Sequence, residues 1–214
     1  FALSQQSSEG LNHSDITEPI DQALLSTLAD VVEQATAAFE AFNYTRALEV
    51  TETFFWSFCD DHLELVKDRA YGLHGDSGAR SAQATLAITL ETLLKLFAPF
   101  LPFVTEEVWS WWKEDSVHTS TWPTADTLRS HSGNADLITV TAEVLSQLRK
   151  VKSEAKVSMK AGLHNATIHA PHDQIELIKL AEPDLLAAGR VDGSFGYQVA
   201  DGNIEVSADL IPAE

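Results

Sequence analysis

Residues 94–112 read LKLFAPFLPFVTEEVWSWW, and two helices must meet inside that stretch. Pro99 and Pro102 each lack a backbone N–H and disfavour the helical region for the residue before them, so a helix arriving from the left is expected to stop at Phe97. Proline suits a first helical position, so a second helix is expected to start at Pro102. Glu106 and Glu107 are read as negative charge in its opening turn. Val104, Val108 and Trp111 recur at helical spacing and are the expected inward face of that helix.

Working outward to the left, the apolar residues Leu86, Leu90, Leu93, Leu94 and Phe97 predict a helix over about residues 79–97, with Asp76 or Ser77 as its cap after glycines 72, 75 and 78. Before it, residues 44–71 read as one long helix capped by Asn43, with a face wide enough to sit between several neighbours. Leu24, Leu28, Val31, Val32, Ala35 and Phe39 step by three and four and predict an amphipathic helix over residues 20–39. Residues 1–18 are polar and serine-rich, and read as a linker. Together residues 19–125 form a helical bundle.

To the right, residues 113–134 show no helical period and read as an extended return that ends in a boundary near 130–134. A helix over residues 135–160 follows, with Leu137, Val144, Leu148, Val151 and Ala155 inward. Then the texture shortens. NATIHA (165–170), SFGYQVA (194–200) and NIEVSA (203–208) alternate as strands do, and Asp201-Gly202 between the last two predicts a hairpin. Residues 174–189 read as a helix interrupted by Pro183. The expected fold class is therefore mainly α: a bundle, then a long helix with a small α/β unit over residues 135–214.

A net charge of −18, from 32 acids against 14 bases, argues against indiscriminate nucleic-acid binding, so any polyanion must be met by local basic patches. Arg149, Lys152, Lys156 and Lys160 are spaced three, four and four, which on one continuous helix makes a single basic stripe. Lys67, Arg69 and Arg80 gather near one bundle end. These seven are the candidate phosphate contacts. The apolar runs fall short of the ~20 residues that cross a bilayer, and the first ten residues lack the pattern of a signal peptide. A start at Phe1 reads as an excised fragment. A single cysteine, Cys59, excludes an internal disulfide and fits a reducing compartment. Cys59 and His62 lie one helical turn apart but lack a second ligand pair, so a packed helix face is the expectation rather than a metal site. Core packing is likewise expected for Trp56 and Trp109, whereas Trp111 and Trp112 cannot both point inward. No GxSxG elbow or phosphate loop occurs, and no catalytic set is marked.

FNYTRALEVTETFFWSFCDDHLELVKDRAYG (42–72), LETLLKLFAPFLPFVTEEVW (90–109) and SVHTSTWP (116–123) together resemble the anticodon-binding region of the class I valyl-tRNA synthetases. FALSQ at the start is similar to the segment that joins their catalytic core to this bundle. Asp61-His62 departs from the aromatic pair often found there, so no contact is carried across those two positions. The tail departs from relatives that end in a helical hairpin, and resembles an actinobacterial-type ending. The resemblance implies a cytoplasmic enzyme that joins valine to tRNA(Val) with ATP and Mg²⁺ and edits mischarged tRNA. Neither HIGH nor KMSKS is present, and KVSMK at 156–160 is not a reordered copy, so no cofactor, catalytic or editing site is expected on this chain. The implied partners are tRNA(Val) and the enzyme's own catalytic core, without DNA or membrane. A docking module that touches no RNA, or the equivalent region of an isoleucyl or leucyl enzyme, are the alternatives.

Overall fold

The computed structural model describes residues 11, 13–129 and 133–212. FALSQ, most of the lead-in and the middle of the expected boundary, at 130–132, lie outside the described residues. Helix α1 (Pro19–Glu40) starts on its proline. The backbone N–H groups of Thr17 and Glu18, ahead of it, donate to Ser81 Oγ, 3.1 Å each. Ile20, Leu24, Leu25, Leu28 and Val32 are all buried, because α1 is touched by four other helices and hides more than one face.

The long second helix is divided. Asn43 caps α2 (Tyr44–Ser57) by accepting from Arg46 N at 3.2 Å, as expected, but a π-helical turn, Phe58–His62, separates it from α3 (Leu63–Ala70). The wider turn realigns the side chains, so that Phe54 stacks on Phe58 at 6.3 Å and Phe58 on His62 at 6.0 Å. A reading at ~100° per residue cannot show such a turn, because it assumes the pitch that the turn breaks.

His62 is buried and neither ring nitrogen has a protein partner. Burial pulls its pKa down to about 4, against the pull of Asp21, so the 4.0 Å approach of Nε2 to Asp21 Oδ1 is no ion pair at neutral pH. The folded pKa lies below the ordinary value of about 6.5, so the unfolded chain takes the proton first. The resulting stability is complete above that value and is lost as pH falls towards 4. A cavity of about 30 Å³ beside the ring leaves room for a larger one. His62→Phe is therefore expected to remove about 2 kcal/mol of the loss in unfolding free energy between pH 7 and pH 5. Urea titrations of both chains at the two pH values check this, and parallel losses would contradict it.

Helix α4 (Asp76–Phe97) begins three residues before its expected start, with Gly75 at the cap position rather than Asp76 or Ser77. Gly75 holds φ at +94°. Gly78 falls inside the helix, where a Cβ would lie 3.1 Å from Arg69 Cδ. The proline corner forms as expected: α4 ends at Phe97 and α5 (Pro102–Ser110) starts at Pro102. The inward face of α5 differs from expectation. Thr105 and Trp109 are buried, Val108 is half-buried, and Val104 and Trp111 face solvent. Pro102 fixes where the helix starts, but a segment apolar on nearly every side does not announce which side is in. Glu106 lies beyond the first turn and accepts from Ser116 Oγ (2.9 Å) and Val117 N (3.0 Å), fastening the return to α5.

The return is less irregular than expected. It holds a 3₁₀ turn at Val117–Thr119 and a short helix, α6 (Ala125–Arg129), laid along α1. Trp122 Nε1 donates to Thr36 Oγ1 at 2.9 Å, and Arg129 pairs with Asp30 and Glu33. Five residues are too few to display a helical period.

Helix α7 (Asp136–Glu154) stops six residues short of Lys160. Lys156 adopts φ +56°, with Lys156 N on Ser153 O at 3.0 Å and Val157 N on Lys152 O at 3.1 Å, which is the paired-bond helix stop. Strand β1 (Leu163–Ala170) is followed by α8 (His172–Lys179) and α9 (Glu182–Gly189), the second opening with Pro183 in its first turn. Strands β2 (Gly196–Val199) and β3 (Glu205–Leu210) then complete a sheet of order β2-β1-β3. The Asp201-Gly202 hairpin is not formed. Ile168 pairs with Tyr197 on its parallel side and with Val206 on its antiparallel side, so the strands flanking that turn lie on opposite edges of β1. Asp201-Gly202 instead carries the chain across the end of the central strand, which alone is apolar enough to be buried between two neighbours.

One apolar core runs from Ile16 through Leu24, Val66 and Leu148 to Ile168 and Ile204. A second, small cluster of Leu94, Ala98, Trp109 and Val117 sits beneath the proline corner.

Candidate nucleic-acid interface

The sequence-predicted cations do not gather. Arg69, 4% exposed, spans two buried carboxylates. Nη1 and Nη2 donate to Asp21 at 2.6 and 2.9 Å, and Nε and Nη2 to Asp184 at 3.0 Å each. Ser81 Oγ adds a 2.6 Å bond to Asp21. Burial works against the guanidinium's charge, but the two carboxylates outweigh it and raise its pKa. Burial also holds the Asp184 carboxyl above its ordinary range despite Arg69. Lys67 pairs with Glu64 at 3.3 Å and Arg80 with Asp15 at 2.8 Å.

The basic stripe is corrected in the same way. Arg149 turns to the π-helical segment, with Nη1 on Asp61 Oδ1 at 2.7 Å and Nη2 on Asp60 O at 2.6 Å. Lys152 is buried and donates to Met159 O (3.0 Å) and Gly189 O (2.8 Å), and burial lowers its pKa. Lys156 and Lys160 are exposed but lie past the end of α7. Even spacing makes a stripe only on a helix that continues to Lys160, and this one ends at Glu154.

Aromatic side chains do gather. The Phe39 ring lies 5.7 Å from Tyr44, 5.6 Å from Phe100 and 5.3 Å from Trp122. Those contacts bring the α1–α2 turn, the proline corner and the return to one end of the bundle. On the outside of that end Phe42 is 79% and Phe103 89% exposed, with Tyr44, Leu101 and Val104 exposed beside them. Phe42 holds φ +56°, unusual for a bulky residue. Asn43 N on Ala38 O at 2.8 Å closes the turn beneath it and leaves the ring outside. Trp56 is 54% exposed rather than packed, and its Nε1 reaches Glu52 at 3.4 Å. Trp109 is buried as expected. Of the next pair Trp111 is the exposed one, and Trp112 packs on Trp109 at 5.9 Å.

Exposed apolar patches of this kind mark interaction surfaces, and flat rings stack on unpaired bases. Residues 21–167 match the sequence family described as "Anticodon-binding domain of tRNA ligase", a span that holds the whole aromatic end. The chain belongs to the anticodon-binding domain family of tRNA ligases. Similar proteins include the valine–tRNA ligase of Thermobifida fusca, 48% identical over 217 aligned positions that cover 100% of this chain and 24% of that protein. That of Cutibacterium acnes is 50% identical, covering 94% of this chain and 23% of that protein. That of Salinispora tropica is 49% identical, covering 82% and 22%. The chain spans about a quarter of the length of these curated relatives.

Among the described residues no three His, Cys, Asp or Glu side chains lie where they could share a metal ion, and Cys59 and His62 belong to the packed π-helical turn. Burial raises the Cys59 thiol pKa. No helix among them is long and apolar enough to cross a membrane. Phe42 and Phe103 escaped the sequence reading. The only signals were an aromatic next to a cap residue and one directly after Pro102, neither of which tells outside from inside.

Proposed function

We propose that this chain is the tRNA-reading C-terminal region of a cytoplasmic valine–tRNA ligase, with the aromatic end of the bundle receiving the anticodon loop of tRNA(Val). In the intact enzyme the catalytic core, the ATP and Mg²⁺ it uses and the editing site lie on other parts of the protein, and this chain supplies selection of the tRNA. The exposure of Phe42 and Phe103 at one end, within the matched anticodon-binding span, carries the reading. Loop bases are unpaired and stack readily on such rings.

Phe42→Ala and Phe103→Ala are each expected to weaken binding of tRNA(Val) by about 1 to 3 kcal/mol if each ring stacks one base. Thermal stability should be almost unchanged, because neither ring is buried. Fluorescence titration of each variant with tRNA(Val) and with an anticodon-altered transcript checks the affinity, and thermal melting checks the stability. Equal affinity for the two transcripts would remove the reading.

One observation favours a second reading, a module that docks on protein without holding RNA. All seven cations up to position 129 lie within 4.0 Å of a carboxylate, so the bundle itself presents no unneutralised positive charge. Absence of saturable tRNA binding at any salt concentration would favour docking.

A further inference from the structure

With every bundle cation neutralised, the charge left to meet a polyanion lies in the tail. There Arg149 and Lys179 are paired, and Lys152 is held by two carbonyls. Among the described residues Lys150, Lys156, Lys160 and Arg190 have no acidic group within 4.0 Å. Lys150 lines a groove between α7 and β3 beside Glu143, Glu154 and Glu205. The segments that carry the other three come together elsewhere.

The buried Lys152 ammonium brings them together. Its two acceptors are Met159 O, in the turn that carries Lys156 and Lys160, and Gly189 O, one residue before Arg190. Leu163 N on Arg190 O at 2.9 Å ties the end of α9 to the start of β1, a few residues after Lys160. Lys156 and Arg190 occupy matching positions, each just past a helix end with φ of +56° and +51°. That conformation stops α7 and α9 and leaves both side chains exposed. Arg190 is close enough to Lys152 for its charge to be felt there. Glu154 and Asp192 are the acids nearest in sequence. The two helix ends contribute roughly −0.5 each. Three exposed cations on a body of net charge −18 have no acidic group within 4.0 Å among the described residues.

We propose that Lys156, Lys160 and Arg190 form a phosphate-binding corner that grips the sugar–phosphate backbone of the same RNA whose loop meets the aromatic end. The inference rests on the RNA-reading function proposed above and adds a second, sequence-independent contact on the tail. Phosphate contacts set register and affinity, while base stacking at the far end discriminates. An acidic protein surface is the competing occupant. RNA is favoured because the family's ligand is RNA and the corner has long flexible cations without an aromatic anchor.

The test compares the 214-residue chain with a corner variant, Lys156→Asn, Lys160→Gln and Arg190→Asn, and with a control variant, Lys113→Gln, Arg129→Gln and Lys179→Gln. Asparagine tolerates the left-handed backbone at 156 and 190. The control removes equal charge from ion pairs that are exposed or half-exposed. Titration with tRNA(Val) at several salt concentrations gives the slope of log affinity against log salt. The corner variant is expected to lose about tenfold or more in affinity and about 2 to 3 of that slope, with circular dichroism and melting unchanged. The control is expected to lose less than half as much. Equal losses in both variants would reduce the effect to net charge and overturn the corner. Unchanged affinity and slope in the corner variant would also overturn it. No binding by the unsubstituted chain would overturn both this inference and the proposed function.

Discussion

Arg69→Met is expected to lower the unfolding free energy of the chain by about 3 to 5 kcal/mol, the cost of stranding a buried charge. Methionine keeps the aliphatic stem out to about the position of Nε and fills much of the volume, so the loss is mainly electrostatic, with a smaller packing loss where the end of the guanidinium lay. Asp21 and Asp184 would then face each other in the interior with their bound cation gone, and only Ser81 Oγ would remain on Asp21. Adding Asp21→Asn and Asp184→Asn to the same chain removes the stranded charges, and should restore part of the stability at pH 7. Chemical denaturation of the single and triple variants measures this. A single-variant loss under about 1 kcal/mol would put Arg69 among surface pairs, whose worth is of that order. The tRNA affinity of the folded fraction should be unchanged, since all the guanidinium's nitrogens are already occupied by protein.

Trp109→Ala should cost about 3 to 5 kcal/mol, the usual range for truncating a buried tryptophan, but the loss should be local. Trp109 packs with Leu94, Ala98 and Val117 in the cluster separate from the main core. Its Nε1 reaches Asp115 at 3.2 Å, and Lys95 and Lys113 lie 5.6 and 5.5 Å from its ring centre. Hydrogen exchange should therefore show α5 and residues 113–119 opening while α1 and α3 keep their protection. Uniform loss of protection would mean that the corner cluster and the main core unfold as one.

The contrast between these two residues shows what the sequence made legible. The proline corner and the Asn43 cap were readable because proline and a capping side chain act on their immediate neighbours. Size and type predict burial equally for Trp109 and Trp56, and the expectation holds for the first alone. Arg69 looked like a free cation because its partners lie 48 and 115 positions away, and no local pattern carries that separation. The π-helical turn, the stop at Lys156 and the crossing at Asp201-Gly202 were hidden for a related reason. In each a short segment follows a tertiary demand, such as burying β1 on both edges, against its own local preference. The expected basic stripe failed with the helix that was to carry it, while the aromatic end needed two segments some sixty positions apart to be brought side by side.

The clamp at Arg69 also sets an order in time. During synthesis at about 5 to 20 residues per second, Asp184 is made 115 residues after Arg69, a delay of roughly 6 to 23 s. Through that interval α1, α3 and α4 can assemble with Asp21 and Ser81 on the guanidinium, leaving its remaining edge unsatisfied. The nascent bundle therefore carries an open socket on the surface where the tail will later close. A ribosome pausing before α9 would prolong the exposure of that socket, and with it the period in which the bundle is vulnerable to misassembly.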